Sequence, residues 1–405
     1  SLLLVRFRGG CKLMQAESAS QAEQDEFYMG RCLELAARAL GQTSPNPLVG
    51  AVVVSADGRV VGEGFHSRAG EPHAEPLALA AAAAQARGGT LYVNLEPCSH
   101  FGRTPPCAEA VVRAGLKRVV VGTVDPNEKV AGAGLRRIQE SGIEVLAGVR
   151  VRQCRELNRG FLKSMEAGLP WLDLKLAATL DGRIADRRGR SRYVTGSAAL
   201  ERVQSLRSQV DAILVGAATA RLDDPALTWR LPDGRAAERQ PVRVVFDPSL
   251  TLSESSRVFQ RPGGKTFIFY RDDSQTKSRL KTFAQVDGDL AEFVGVEGGT
   301  DNALDLRHCL ELLGGRGLRR LLCEGGGRLA GSLLAADLVD EVHWFVAPKL
   351  LCDASAPLAV ASPLERPLSA VLQLEEMSVT EVLPDFLLHG WMPGRSAFLS
   401  GRTET

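Results

Sequence analysis

Two short stretches of this 405-residue chain hold residues whose types and spacing could do chemistry together. In the first, His73-Ala74-Glu75 sets an imidazole two residues before a carboxylate, and Pro97-Cys98 and Cys107 follow with two thiols. One imidazole and two thiolates are three of the four ligands of tetrahedral zinc, and a three-ligand site keeps a position for water, the mark of a catalytic metal. Such a metal lowers the pKa of its water toward neutrality. Glu75 is then placed to move protons between that water and a leaving amine. Taken singly, His73 reads as a surface residue and the cysteines as core; the combination carries the reading. The second stretch is Glu324-Gly325-Gly326-Gly327. Glycines between a strand and a helix let backbone N–H groups approach a pyrophosphate at a helix N-terminus. The spacing is not G-x-G-x-x-G, so a Rossmann fold is not indicated. A plain tight turn is the alternative for 325–327, and Gly132-Ala133-Gly134 reads as a turn before a helix.

These residues must be positioned by two successive α/β series. Glu23 to Leu40 carries apolar residues at helical spacing and stops at Gly41. Val49–Val54 and Val60–Val61 flank the turn signal Ala56-Asp57-Gly58 as a hairpin. Ala74 to Ala86 is helix-prone, so His73 opens a helix. Leu91–Leu95 reads as a strand leading to Cys98. Then Cys107–Ala114 reads as helix, Arg118–Val121 as strand, Gly134–Ser141 as helix and Ile143–Val145 as strand. This alternation predicts a three-layer α/β domain. A second series has strands at Trp171–Ala177, Ala212–Val215, Val242–Phe246, Thr266–Tyr270, Arg319–Cys323 and Val342–Val346. Its helices are expected at Ala198–Ser208, Ala303–Leu313 and Leu329–Ala336. Polar loops are expected at 221–241 and 271–300. The boundary falls in Cys154–Pro170, giving domains of 23–160 and 161–395 with a tail at 396–405.

Composition fits a soluble enzyme rather than a nucleic-acid binder. Hydrophobic residues make up 44% and charged residues 24%. The 49 basic and 48 acidic residues leave a net charge of +1, against a mainly electrostatic nucleic-acid partner. No apolar run approaches the roughly 20 residues that span a bilayer. Eight cysteines are too sparse for a disulfide scaffold, which points to a reducing, cytoplasmic compartment. Residues 1–22 read as a poorly ordered leader, with natural synthesis starting at Met14 or, alternatively, a short targeting segment ahead of it. A closed homo-oligomer is the default expectation.

The first constellation matches the signature of zinc-dependent base deaminases, with one departure. That signature spaces its cysteines C-x-x-C; here eight residues, Ser99 to Pro106, separate Cys98 from Cys107. At this point the sequence resembles the RibD family of bifunctional riboflavin-biosynthesis deaminase–reductases. LEPCSHFGRTPPC is similar to that family's zinc loop almost residue for residue. Pro45-Asn46-Pro47-Leu48-Val49-Gly50, Gly62-Glu63-Gly64-Phe65-His66 and Gly70-Glu71-Pro72-His73-Ala74-Glu75 also match. Downstream, Lys175–Ala185, Ser191–Gly196, Asp211–Gly216 and Asp223–Thr228 follow the order of its reductase half.

The resemblance implies a cytidine-deaminase-like α/β/α domain followed by a dihydrofolate-reductase-like α/β domain. It implies one Zn²⁺ on His73, Cys98 and Cys107, with Glu75 as catalytic proton shuttle. Asn46, His66, Ser99, His100 and Arg103 would lie near the deaminase substrate. Lys175, Ser191, Arg207, Leu227, Arg230 and Glu324 would hold the phosphosugar of the reductase substrate, the arginines suiting a phosphate through their forked donors. Ala177, Tyr193, Thr219, Asp223, Gly326, Gly327, Arg328, Leu329, Ala330, Gly331 and Ser332 would hold NADPH. Tyr193 stands where tryptophan is common, Leu200 where arginine is frequent, Pro248 where a polar residue is frequent and Cys352 where glycine is usual. The implied reactions are deamination of 2,5-diamino-6-ribosylamino-4(3H)-pyrimidinone 5′-phosphate and reduction of its ribosyl group to ribityl. A nucleic-acid base deaminase would share the zinc and Glu75 but leaves the C-x8-C loop and the second half unexplained. A zinc-stabilised scaffold has no need of Glu75.

Overall fold

The computed structural model describes residues 20–99, 106–126, 132–192, 194–298, 303–362 and 365–401, together with the backbone of 2–7 and 10–15. Contacts divide the chain into two units. One comprises residues 1–166, to which 399–401 return, and the other residues 167–398. The change falls inside a helix, six residues beyond the expected 160/161 boundary, because Leu162, Lys163 and Ser164 are buried within that helix.

The first unit opens with β1 (Leu2–Phe7) and β2 (Gly10–Gln15), paired antiparallel with Leu2 opposite Gln15. Within the leader expected over 1–22, these two segments form a ladder of backbone bonds. Helix α1 (Gln21–Ala37) then begins inside the expected leader, because Ser20 and Glu23 form a reciprocal capping box. Next come β3 (Gly50–Val54), β4 (Val60–Phe65), α2 (Ala74–Ala82), β5 (Thr90–Leu95), α3 (Cys107–Arg113), β6 (Arg118–Thr123), α4 (Ala133–Glu140), β7 (Glu144–Ala147), α5 (Val151–Leu157) and α6 (Arg159–Ala167). The sheet order is β4-β3-β5-β6-β7, with β5, β6 and β7 parallel.

Alternation along the strands makes the three layers. Ala51, Val53, Leu91, Val93, Val119 and Val121 face α2, α3 and α4. Val52, Val54, Tyr92 and Val120 face α1 and α5, against Met29, Cys32, Leu35 and Cys154. Helix α2 lies flush on β4: a Cβ at Gly62 would fall 2.1 Å from the Ala78 carbonyl oxygen, so only glycine fits there. The expected helix over 74–86 tightens into a 3₁₀ turn at Ala83–Ala86.

The second unit is built on β8 (Trp171–Thr179), α7 (Ser197–Arg207), β9 (Ala212–Gly216), α8 (Ala217–Asp223), β10 (Val242–Phe246), β11 (Thr266–Arg271), α9 (Ser274–Leu280), β12 (Ala291–Val296), α10 (Leu306–Gly315), β13 (Arg320–Cys323), α11 (Gly327–Ala335), β14 (Glu341–Ala347), β15 (Glu375–Val382), β16 (Asp385–Trp391) and α12 (Arg395–Leu399). Its nine-stranded sheet runs β12-β11-β10-β9-β13-β8-β14-β16-β15; seven strands are parallel and the last two antiparallel. Leu172, Leu174, Leu214 and Leu321 pack on α10 and α11, while Ile213, Val215, Leu322 and Phe345 pack on α7 and α8.

Two expectations are corrected. The loop expected at 271–300 contains α9, capped by Asp273, and the edge strand β12. The helix expected from Ala303 starts at Leu306, because the Asp305 side chain caps it. The region 154–170, where the boundary is expected, is mostly helical and contains the change of unit at 166/167.

Candidate active sites

His73 sits at the N-cap of α2, and its ring makes no capping bond, so it is free for another ligand. Cys98 follows β5 through Glu96. The buried Glu96 carboxylate accepts backbone N–H bonds from Asp125, Gly132, Gly134 and Leu135, fixing the strand end that carries the cysteine. Cys107 is the first residue of α3, and its own N–H donates to Cys98 Sγ at 3.3 Å. His73 Nδ1 lies 3.2 Å from Cys107 Sγ and 3.8 Å from Cys98 Sγ. A tetrahedral zinc with Zn–S of about 2.3 Å and Zn–N of about 2.1 Å separates its ligand atoms by roughly 3.6–3.8 Å. The donor set and its spacing fit that metal. Donation from Cys107 and His73 holds the Cys98 thiol well below the usual thiol range, the direction a metal ligand needs.

Glu75 projects from the first turn of α2 and is 3% exposed. Its Oε2 has no hydrogen-bond partner among the described residues. A buried carboxylate oxygen left bare is costly, so the site is built to receive something. Burial pushes the Glu75 pKa up to about 7, where a carboxyl both takes and gives a proton.

His66 is buried beside this centre, its ring 5.2 Å from that of His73. Its Nδ1 lies 3.1 Å from the Pro72 carbonyl, an acceptor only, so Nδ1 carries the proton. Nε2 then accepts from Asn46 Nδ2 at 3.0 Å. Burial lowers the pKa of His66 and keeps it neutral. Asn46, His66, His73 and Glu75 are thus brought together. Ser99 is half-buried next to Cys98; His100 and Arg103 lie outside the described residues. Two positioning residues escape a reading of the sequence. Asn94 and Asn158 both donate to the Leu48 carbonyl at 2.9 Å, and Leu48 N donates to Asn158 Oδ1 at 2.7 Å. They anchor the segment that carries Asn46. Asn94 could have been found as a polar residue inside the apolar run 91–95; Asn158 carries no such signal.

The second constellation gathers around Glu324, just past the end of β13. Arg207, at the end of α7, grips its carboxylate with both arms of the fork, at 2.6 and 2.8 Å. Lys175 Nζ on β8 stands 3.8 Å away. Burial would raise the Glu324 pKa, but Arg207 and Lys175 outweigh it and hold it at about 2. Arg207 Nη1 also donates to the Thr228 carbonyl at 2.7 Å, so this guanidinium is committed to the protein. Leu227, just before Thr228, is buried with φ of 48°. Arg230 is exposed, its N–H held by Gln204. Ser191 Oγ donates to Asp223 Oδ1 at 2.7 Å, joining a residue expected at the substrate to one expected at the cofactor. Ala177 is half-buried on the strand face shared with Lys175. Tyr193 lies outside the described residues.

The glycine run divides by role. Gly325 has φ of 118°, and a Cβ there would meet nothing within 4 Å among the described residues, so the backbone is open to a ligand. Gly326 N donates to Thr219 Oγ1 at 3.0 Å. Gly327 and Gly331 instead pack on backbone: Cβ atoms there would fall 2.0 Å from the Leu358 oxygen and 2.3 Å from the Ala361 oxygen. Ala330 is fully buried, while Arg328, Leu329 and Ser332 keep exposed surface. An open glycine turn at a helix N-terminus beside Thr219 fits a dinucleotide phosphate. Of the departures, Leu200 is exposed, Pro248 accepts Arg271 N–H, and Cys352 stands at φ of 55°, the region glycine favours.

Fold and sites together define a zinc-dependent deaminase joined to a nicotinamide-dependent reductase. Residues 22–123 match the cytidine and deoxycytidylate deaminase zinc-binding region, and residues 170–388 match the RibD C-terminal domain. The riboflavin biosynthesis protein RibD of Escherichia coli K12 is 43% identical, covering 90% of this chain and 99% of the relative. A solved structure of Acinetobacter baumannii RibD superposes with a TM-score of 0.80 at 36% identity over 92% of this chain and 99% of the other. A Thermotoga maritima diaminohydroxyphosphoribosylaminopyrimidine deaminase/5-amino-6-(5-phosphoribosylamino)uracil reductase gives 0.79 at 34% identity, over 92% of this chain and 100% of the other. The chain belongs to the RibD family: it is a bifunctional riboflavin-biosynthesis deaminase and reductase that uses zinc and NADPH. Among the described residues, no helix is long and apolar enough to cross a membrane.

Proposed function

We propose that the first unit deaminates the ring of 2,5-diamino-6-ribosylamino-4(3H)-pyrimidinone 5′-phosphate and that the second reduces the ribosyl group to ribityl. The product is 5-amino-6-(5-phosphoribitylamino)uracil. The observation that carries this reading is the buried, unpartnered Glu75 oxygen beside His73, Cys98 and Cys107. A zinc held by those three residues supplies a hydrolytic nucleophile at neutral pH. Glu75 takes the proton released by the attacking water and delivers it to the departing amine, leaving as ammonia. The neutral His66 holds Asn46 through Nε2, so the Asn46 amide is oriented toward the ring. Ser99, His100 and Arg103 line the same loop and meet the polar end of the substrate.

In the second unit NADPH supplies the hydride, and the protein supplies position and charge. Glu324, kept ionised, accepts hydrogen bonds from sugar hydroxyls. Arg207 acts through Glu324 by holding it, so the phosphate falls to the exposed Arg230 and to Ser191, with Leu227 shaping the pocket. Lys175 stands beside the reacting sugar carbon. Ala177, Tyr193, Thr219, Asp223 and Gly326 to Ser332 form the NADPH side, with Gly325 giving the turn its openness. Domains of 23–160 and 161–395 divide the two reactions. A cytoplasmic homo-oligomer acting on small molecules rather than nucleic acid completes the reading.

A coupled assay on the diaminopyrimidinone phosphate tests it. Ammonia release must precede NADPH oxidation, in equal amounts. NADPH oxidation without ammonia release, or neither, overturns the assignment.

A further inference from the structure

A cluster on the second sheet belongs to neither site. On β14 and β16, His343 stands opposite His389 in antiparallel register. Glu341, two residues before His343, projects from the same face. The two imidazoles lie 4.9 Å apart with their planes inclined by 33°. Glu341 Oε1 is 2.8 Å from His389 Nε2 and 3.2 Å from His343 Nε2. Two ring nitrogens therefore converge on one carboxylate oxygen. His343 is 6% exposed, and its Nε2, though near that oxygen, makes no aligned hydrogen bond. A buried ring nitrogen aimed into a group of ligand atoms without a bond of its own is what a coordination site leaves when viewed without its ion.

We propose that Glu341, His343 and His389 form a second zinc site, separate from the deaminase centre. Zinc with nitrogen and oxygen ligands at about 2.0–2.1 Å spaces those atoms by roughly 3.3 Å, close to the separations here. Two imidazoles and a carboxylate favour a borderline ion such as zinc over calcium or magnesium, which prefer all-oxygen sites. The surroundings already brace the carboxylate. Trp171 Nε1 donates to Glu341 Oε2 at 3.2 Å, and Arg320, bonded to Asp173 at 2.7 Å, stands 3.7 Å from the same oxygen. Oε1 is thus the oxygen turned to the ion. The His389 side chain is 26% exposed, which leaves a route from solvent and room for a water as fourth ligand. The ion would pin β16 to β14 at the seam where the parallel part of the sheet gives way to its antiparallel edge.

The test is metal content and location in the full-length protein. After equilibration with micromolar zinc and removal of the excess, the wild-type chain should hold two zinc ions. His343→Ala and His389→Gln should each hold one, with ammonia release unchanged; that activity shows the loss is local. Anomalous scattering at the zinc edge should place a peak between the two imidazoles of the wild type, which decides the matter should either variant fold poorly. A wild-type count of one, two ions that survive both substitutions, or no peak at these residues overturns the site. The histidines would then be hydrogen-bonded partners of Glu341 alone.

Discussion

Two buried glutamates, one in each unit, have been given opposite electrostatic environments. Glu75 is buried beside His73, Cys98 and Cys107 with one oxygen bare, and burial, with the charge of Cys98 adding to it, lifts its pKa to about 7. Glu324 is equally enclosed but clasped by Arg207 and approached by Lys175, and it stays ionised down to about 2. In the proposed mechanism the first changes protonation state during turnover and the second stays ionised. Desolvation is common to both, and the nearby cations decide the outcome. In the proposed mechanism the carboxyl lifted by burial carries the proton, and the one clasped by Arg207 and approached by Lys175 is a fixed anion that orients hydroxyls.

The most severe way to break this contrast is Glu75→Gln. Deamination should fall by at least about 10²–10⁴, with zinc still bound and NADPH oxidation on the deaminated substrate unchanged. Loss of both activities would show that the sites are not independent. Arg207→Ala comes next. It leaves Glu324 without its main partner, and breaking a buried pair from one side costs about 3–5 kcal/mol. Denaturant unfolding of the second unit should show this loss, and the reductase KM for substrate should rise while that for NADPH holds. Equal rises would move Arg207 to the cofactor side.

The pH dependence follows from Glu324. The unfolded carboxyl takes up its proton near 4.5, while the folded one holds off until about 2. The unfolded state therefore binds more protons between these values. The stabilisation is complete above pH 4.5 and is lost as pH falls toward 2. At about 1.4 kcal/mol for each pH unit this amounts to about 3 kcal/mol. Glu324→Gln should flatten that limb of the stability curve; an unchanged slope would mean that another group sets it. The smallest effect belongs to Cys352, a departure from the family's usual glycine that stands at φ of 55°. Cys352→Gly should stabilise the second unit by about 1 kcal/mol, since left-handed backbone costs a side-chain-bearing residue roughly that much. Destabilisation would show that the thiol has a contact of its own.

Legibility in the sequence followed the same divide. The zinc centre was readable because its ligands lie at element starts and ends, within 35 residues from His73 to Cys107, in an order that few other arrangements share. The Glu324 cluster was not, because Arg207 lies 117 residues from its partner and looks like any surface arginine. Only the family resemblance pointed to these residues. It placed Arg207 among the residues that hold the phosphosugar, and its fork lies on Glu324, another residue of that set. The pairing of Asn158 with Leu48 across 110 residues was invisible for the same reason. Strand β15 went unread because only Met377 and Val379 alternate with polar residues there, too short a run to announce a strand. Apart from the edge strand β12, the parallel strands of both sheets were found as β-branched or leucine-rich runs, and helices such as α1, α2, α7 and α10 as apolar repeats.

The flush seating of α2 on β4 has a consequence for how this enzyme can change. His73 and Glu75 ride on a helix whose backbone touches the backbone of the strand beneath, with no side chain between them to enlarge or trim at Gly62. Point substitution therefore has no shim with which to shift the metal end of the site. Altered ring selectivity has to be sought elsewhere around the site, such as in the Asn46 turn. Selection, natural or in the laboratory, would find a fixed anvil and a replaceable die.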